Sequence, residues 1–77
     1  MRQDVSQGAH ELRSWFARNG RGLCDREMAQ RLGCSVGHMH NVATGRFAPS
    51  LRLAAAIERE TGVPARSWLT PAEDRAA

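Results

Sequence analysis

Residues 23–46 read LCDREMAQRLGCSVGHMHNVATGR, and the organisation of the chain follows from how this stretch divides. Either Cys24 or Asp25 can accept from the free backbone N–H groups of a first helical turn, and Glu27 just beyond favours the positive end of the helix dipole. Met28, Ala29 and Leu32 then fall at i, i+1 and i+4, an apolar face one turn long, while Arg26, Gln30 and Arg31 point the other way. Gly33 ends this helix. It takes a left-handed backbone at little steric cost, and Ser35, two residues on, is a good cap for the next helix. That second helix, over 36–43, divides by angle at roughly 100° per residue. Met39 and Val42 share an inward side. Gly37, His40, Asn41 and Thr44 share the outward side, with Val36 at its N-terminal margin and His38 on the flank. A helix that had only to stay soluble would more often carry Glu, Lys and Arg outward. Here the outward residues are small or hydrogen-bonding, and Gly37 costs up to about 1 kcal/mol relative to Ala. The expectation is that something comes close to the backbone there.

Working outward, Leu12, Trp15 and Phe16 at i, i+3 and i+4 mark the buried stripe of a first helix from residue 8 or 9 to about residue 18, preceded by a polar, flexible 1–7. Asn19, Gly20, Arg21 and Gly22 form a loop. Beyond the opening stretch, 45–49 is a loop containing Arg46. Ser50 then caps a helix whose buried side is Leu51, Leu53, Ala54, Ile57 and Thr61, with Arg52, Glu58, Arg59 and Glu60 outside. Gly62 stops it. Val63 and Pro64 lead into a last short helix over 65–69, in which Trp68 closes the core, and 71–77 is a loose tail after Pro71. The result is one small all-α domain over 8–70, with five helices and no strand; 77 residues leave no room for two domains.

The chain carries 11 basic and 8 acidic residues, net +3, and every basic residue is arginine. Arginine bonds phosphates and guanine edges bidentately, which suits a nucleic-acid partner. A lysine-free, alanine-rich chain also follows from GC-rich coding, so composition leaves both explanations open. There is no run of about 18 apolar residues to span a membrane and no apolar stretch of a signal peptide, so the expected location is the cytoplasm. Cys24 and Cys34 stand at opposite ends of one helix, beyond disulfide reach at a rise of roughly 1.5 Å per residue, and are expected as two thiols.

The run L-x-x-x-x-M-A-x-x-L-G-C-S-x-x-x-M-x-x-V-x-T-G-R-x-x-P-S, starting at Leu23, resembles the helix-turn-helix of the phage Cro and repressor family, also called the XRE family. The similarity extends over about 12–69. It rests on the ordered set of Ala29 to Gly33, the Ser35 cap, and Gly45 with Pro49 and Ser50. The resemblance implies a five-helix lambda-repressor-like DNA-binding domain that acts as a sequence-specific transcriptional regulator, most simply a repressor of phage or prophage type. It would stay with the nucleoid, need no cofactor, and respond mainly to its own concentration. The partner would be a partly palindromic double-stranded operator, bound as a homodimer with half-sites about one helical turn apart.

On that view the helix over 35–44 enters the major groove. Gly37 lets the backbone approach closely, Asn41 pairs bidentately with adenine, His40 donates or accepts according to its tautomer, and Val36 meets a thymine methyl. Positioning on the phosphates falls to Ser35, Thr44 and Arg46, with Arg26 in support. In relatives the dimer surface lies near the last helix, which points to Val63, Pro64, Ala65 and Leu69. Relatives often have a phosphate-binding Gln where this chain has Asp25. An aspartate there repels phosphate, so either the domain sits differently on DNA or Asp25 turns away to serve the helix cap. The family pattern would also bring Arg18 near the DNA backbone; in some relatives an arginine there pairs with a glutamate late in the recognition helix, where this chain has Ala43.

Other chemistries fare poorly. Cys34, His38 and His40 are metal-ligand types, but the two histidines lie roughly 160° apart around the helix and cannot close on one ion. No acidic residue stands by to orient a Cys–His pair, so no enzyme activity is expected. The rival is a helical interaction module, such as the antitoxin of a toxin–antitoxin pair or a protein that binds a host factor, because fold alone does not decide function.

Overall fold

The computed structural model describes residues 6–69, and each α-helix in it starts on a side chain that accepts from a backbone N–H three residues ahead. Ser6 accepts from Ala9 and opens α1, Gln7–Arg18; Asp25 accepts from Met28 and opens α2, Arg26–Leu32. Ser35 accepts from His38 and opens α3, Val36–Ala43; Ser50 accepts from Leu53 and opens α4, Leu51–Thr61. The first helix therefore begins earlier than its apolar stripe suggests, and Gln7 is buried within it. Between the two candidate caps of α2, Asp25 serves. The tail expected over 71–77 and residues 1–5 lie outside the described residues.

Two glycines carry the connections on either side of α3. Gly33 has φ 78° and Gly45 has φ 85°, a left-handed backbone that other residues adopt at a cost. At the first, Cys34 N–H donates to the Ala29 carbonyl at 3.1 Å and Gly33 N–H to Gln30 at 3.1 Å. At the second, Arg46 N–H donates to Asn41 at 2.9 Å and Gly45 N–H to Val42 at 3.2 Å. Both are Schellman caps, which satisfy carbonyls that a helix end leaves open.

The core is made of Leu12 and Phe16 from α1, Met28, Ala29 and Leu32 from α2, Met39, Val42 and Ala43 from α3, Leu53, Ala56 and Ile57 from α4, and Val63. α1 packs on α3 and on the C-terminal turn, while α2 packs on both α3 and α4. Trp15 lies half-buried with its ring edge-on to Phe16, centroids 5.5 Å apart.

Two sequence expectations are corrected. The segment Ala65–Leu69 is a single 3₁₀ turn, so the described residues hold four α-helices and one 3₁₀ turn, not five helices. The reason is local. Five residues cannot sustain an α-helical ladder, Pro64 brings no N–H, and the Ser67 N–H closes on the Pro64 carbonyl at 3.0 Å in the i→i+3 pattern. Trp68 nevertheless packs against the core, seated on Gly8, where any Cβ would overlap its ring. Leu51, expected inside, is 85% exposed. At helical spacing Leu53, Ala56 and Ile57 define a face whose centre is more than 120° from Leu51, roughly, so the first residue of α4 points outward.

Candidate nucleic-acid interface

α3 is held from behind. Met39, Val42 and Ala43 are all but fully buried, and Arg13 of α1 donates through Nη1 to the Ala43 carbonyl at 3.0 Å, tying the C-terminal end of α3 to α1. With alanine at position 43 there is no side-chain carboxylate there, and the arginine that reaches this end of α3 is Arg13, through the backbone carbonyl. Arg18 instead lines a polar cleft of about 280 Å³ with His10, Glu11, Ser14 and Thr61. Arg13 was legible in principle: at roughly 40° from Ala9 it is the charged residue that borders the buried side of α1.

The outer side of α3 brings most of the predicted base-reading set together. Gly37 is exposed, His40 and Asn41 are half-buried, and Val36 is half-buried with its side chain against the core. A Cβ built on Gly37 meets nothing within 4 Å, so among the described residues no packing demands a glycine there. The Asn41 carbonyl accepts from the Arg46 and Phe47 N–H groups at 2.9 and 3.3 Å, whereas none of the hydrogen bonds among the described residues uses its carboxamide. That carboxamide keeps both its donor and its acceptor for an external partner.

The four phosphate candidates separate by chemistry. The Ser35 hydroxyl accepts from the His38 N–H at 3.0 Å, which leaves its proton free to donate. The Thr44 hydroxyl donates to the His40 carbonyl at 2.9 Å and lies 3.3 Å from that of Asn41, so its proton is committed to the helix end. To donate to a phosphate Thr44 has to give up that bond, since a hydroxyl has only one proton. Arg46 follows the second Schellman cap with its backbone N–H fixed and its side chain exposed. Arg26 is exposed on the first turn of α2.

Asp25 does not face outward as a bare charge. Its Oδ1 accepts from the Met28 N–H at 3.0 Å, and Oδ2 lies 2.7 Å from Nη1 of Arg21. The Met28 N–H, followed by Arg21, draws the carboxyl below the ordinary aspartate range, and the same contact raises the Arg21 guanidinium. Of the two sequence alternatives, turning away to serve the cap describes Asp25. Burial raises the Cys34 thiol above its ordinary value, a poor setting for a thiolate.

The residues that sequence reasoning passed over are Arg13, Arg21 and Phe47. Phe47 is 53% exposed and stacks on His38, with ring centroids 6.2 Å apart and planes at 25°. An aromatic residue directly after Gly45 and Arg46, in a loop with no apolar periodicity, was the available signal.

No family model, curated protein or solved structure matches this chain. Among the described residues no three His, Cys, Asp or Glu side chains converge as metal ligands, and no helix is long and apolar enough to cross a membrane.

The predicted dimer residues lie elsewhere. Pro64, Ala65 and Leu69 are at the surface, and Leu69 is 87% exposed, but Val63 is 5% exposed and belongs to the core. Val63 is thereby corrected from a dimer contact to a packing residue: it follows Gly62 directly and is drawn in beneath α4, its N–H donating to Thr61 Oγ1 at 3.2 Å. A mainly apolar groove of about 230 Å³ opens nearby, lined by Pro49, Leu51, Ala54, Ala65, Trp68 and Leu69 together with Arg66.

Proposed function

We propose that the chain is a sequence-specific DNA-binding transcriptional regulator of the phage Cro and repressor type, most simply a repressor, with α3 as the helix that enters the major groove. The observation that carries this is Gly37. A helix-weakening residue stands on the outer face of α3 where the fold leaves open space, beside a carboxamide with no partner among the described residues, so the sequence there answers to something outside the chain. The major groove admits one helix and rewards close backbone approach. Gly37, His40 and Asn41 then face base edges, with only the uncovered part of Val36 beside them, while Ser35, Arg46 and Arg26 hold phosphates.

A homodimer is part of the proposal, because two half-sites read by two copies of α3 give a palindromic operator. The apolar groove with Leu51 and Leu69 at its rim is the surface available for the second copy. The same groove supports the second reading, in which another protein occupies it and the chain is the DNA-reading half of an antitoxin-like pair. Selection from a random-sequence duplex pool tests the first reading. Enrichment of one partly palindromic sequence is expected; recovery of unrelated sequences in proportion to their abundance rules it out.

A further inference from the structure

His40 carries an asymmetry that the sequence leaves open. Its ring sits half-buried on the outer side of α3, and its Nδ1 is fully enclosed with no hydrogen-bond partner among the described residues. A neutral imidazole places one proton on one of its two nitrogens. A proton on Nδ1 would make an enclosed N–H donor with no acceptor, a group that folded proteins almost never tolerate; under-satisfied acceptors are tolerated more often. The lone pair belongs on the enclosed nitrogen. The proton belongs on Nε2, which is the nitrogen left to meet solvent or a partner.

We propose that His40 is a specificity-determining residue that acts as an Nε2–H donor and selects guanine at one operator position, an inference that rests on the DNA-binding reading above. In the major groove guanine presents two neighbouring acceptors, N7 and O6, whereas adenine sets the N6 amino donor beside N7, cytosine presents an N4 donor, and thymine presents a single acceptor, O4, beside its apolar C5-methyl. A side chain that can only donate finds two acceptors at guanine and one at thymine, and is opposed by the amino groups of adenine and cytosine. Asn41, one residue on, has both a donor and an acceptor and suits the adenine pattern. The two neighbours therefore read different bases for a reason of proton placement, not of reach.

Nitrogen-15 NMR of the free protein tests proton placement without DNA. A pyridine-type resonance for Nδ1 and a pyrrole-type resonance for Nε2 are expected; the reverse pattern overturns the proposal. Selection from a random duplex pool is then run with the unchanged protein, with His40→Ala and with His40→Gln, after confirming that the variants keep the helical circular dichroism of the parent. His40→Ala should erase a guanine preference at one position of each half-site, and His40→Gln, which both donates and accepts, should turn it toward adenine. Unchanged preferences at every position in both variants overturn the assignment while leaving the DNA-binding reading intact. Failure of the unchanged protein to enrich any sequence removes the DNA-binding reading, and this specificity role with it.

Discussion

The outer side of α3 and the groove between α4 and the 3₁₀ turn both face solvent, yet they are built oppositely. The first offers Gly37, His40 and Asn41 over a rigidly backed helix; the second offers Leu51, Leu69 and part of Trp68 around a shallow apolar recess. Polar groups with unmet hydrogen-bonding capacity select a partner by direction, and apolar surface selects by shape and area. One small domain can thus address a patterned partner on one face and a second protein surface on the other. The α3 face lies outside the core, whereas the groove shares Trp68 and Ala54 with the packed interior.

If α3 depends on its backing, Met39→Ala is the most disruptive single change, because Met39 is 1% exposed at the centre of that contact. A loss of about 2–5 kcal/mol in urea unfolding is expected, and a loss within measurement error would mean that α3 is not held by its inner side. On the outer side, Asn41→Ala should weaken operator binding by about 1–3 kcal/mol and leave random DNA unaffected. Arg46→Ala should instead weaken binding to both and lower the salt slope by about one unit. The same response from both variants would erase the distinction between a base-reading and a phosphate-holding residue.

Gly37→Ala sets fold against function. With open space around the new Cβ, thermal stability should rise by up to about 1 kcal/mol while operator affinity falls. A stabilised variant that binds as well as the parent would show that the glycine does not serve close approach. At the groove, Leu69→Ser should change stability by less than about 0.5 kcal/mol yet shift sedimentation toward monomer. An unchanged sedimentation profile would separate the groove from self-association.

The smallest effect concerns the start of α2. Because the Asp25 carboxyl is lowered in the folded chain, its contribution is complete above the ordinary aspartate range and disappears as pH falls through the lowered native value, a window lying below about pH 3.9. Asp25→Asn keeps a capping oxygen, so its stability should lose that part of the acid dependence, read by thermal melts from neutral pH downward. An identical acid profile in both proteins would show that the carboxyl is not the titrating cap.

The stretch through α2 and α3 was legible almost to the residue, because cap, apolar spacing and C-terminal glycine agree at Asp25, Leu32, Gly33, Ser35 and Met39. Legibility failed where a side chain answers to something distant. Arg13 reaches a carbonyl 30 positions away, and Thr44 turns its proton back onto its own helix. Leu51 is apolar but falls off the register of its helix, so composition misplaced it inside. The 65–69 segment shows the limit of pattern at short length, where five residues satisfy a helical motif and a 3₁₀ turn equally. For the α3 face, pattern located the residues but not their proton states, which depend on what encloses each nitrogen and hydroxyl.

Sequence reading by the α3 face is measured most directly by binding of the intact protein to fragments from around its own gene and to random DNA of equal length, at two salt concentrations. Tight, saturable binding to one fragment is expected, persisting at the higher salt while binding to random DNA is lost. Weak binding to every fragment, lost together as salt rises, would contradict it and leave only charge attraction between an arginine-bearing chain and DNA.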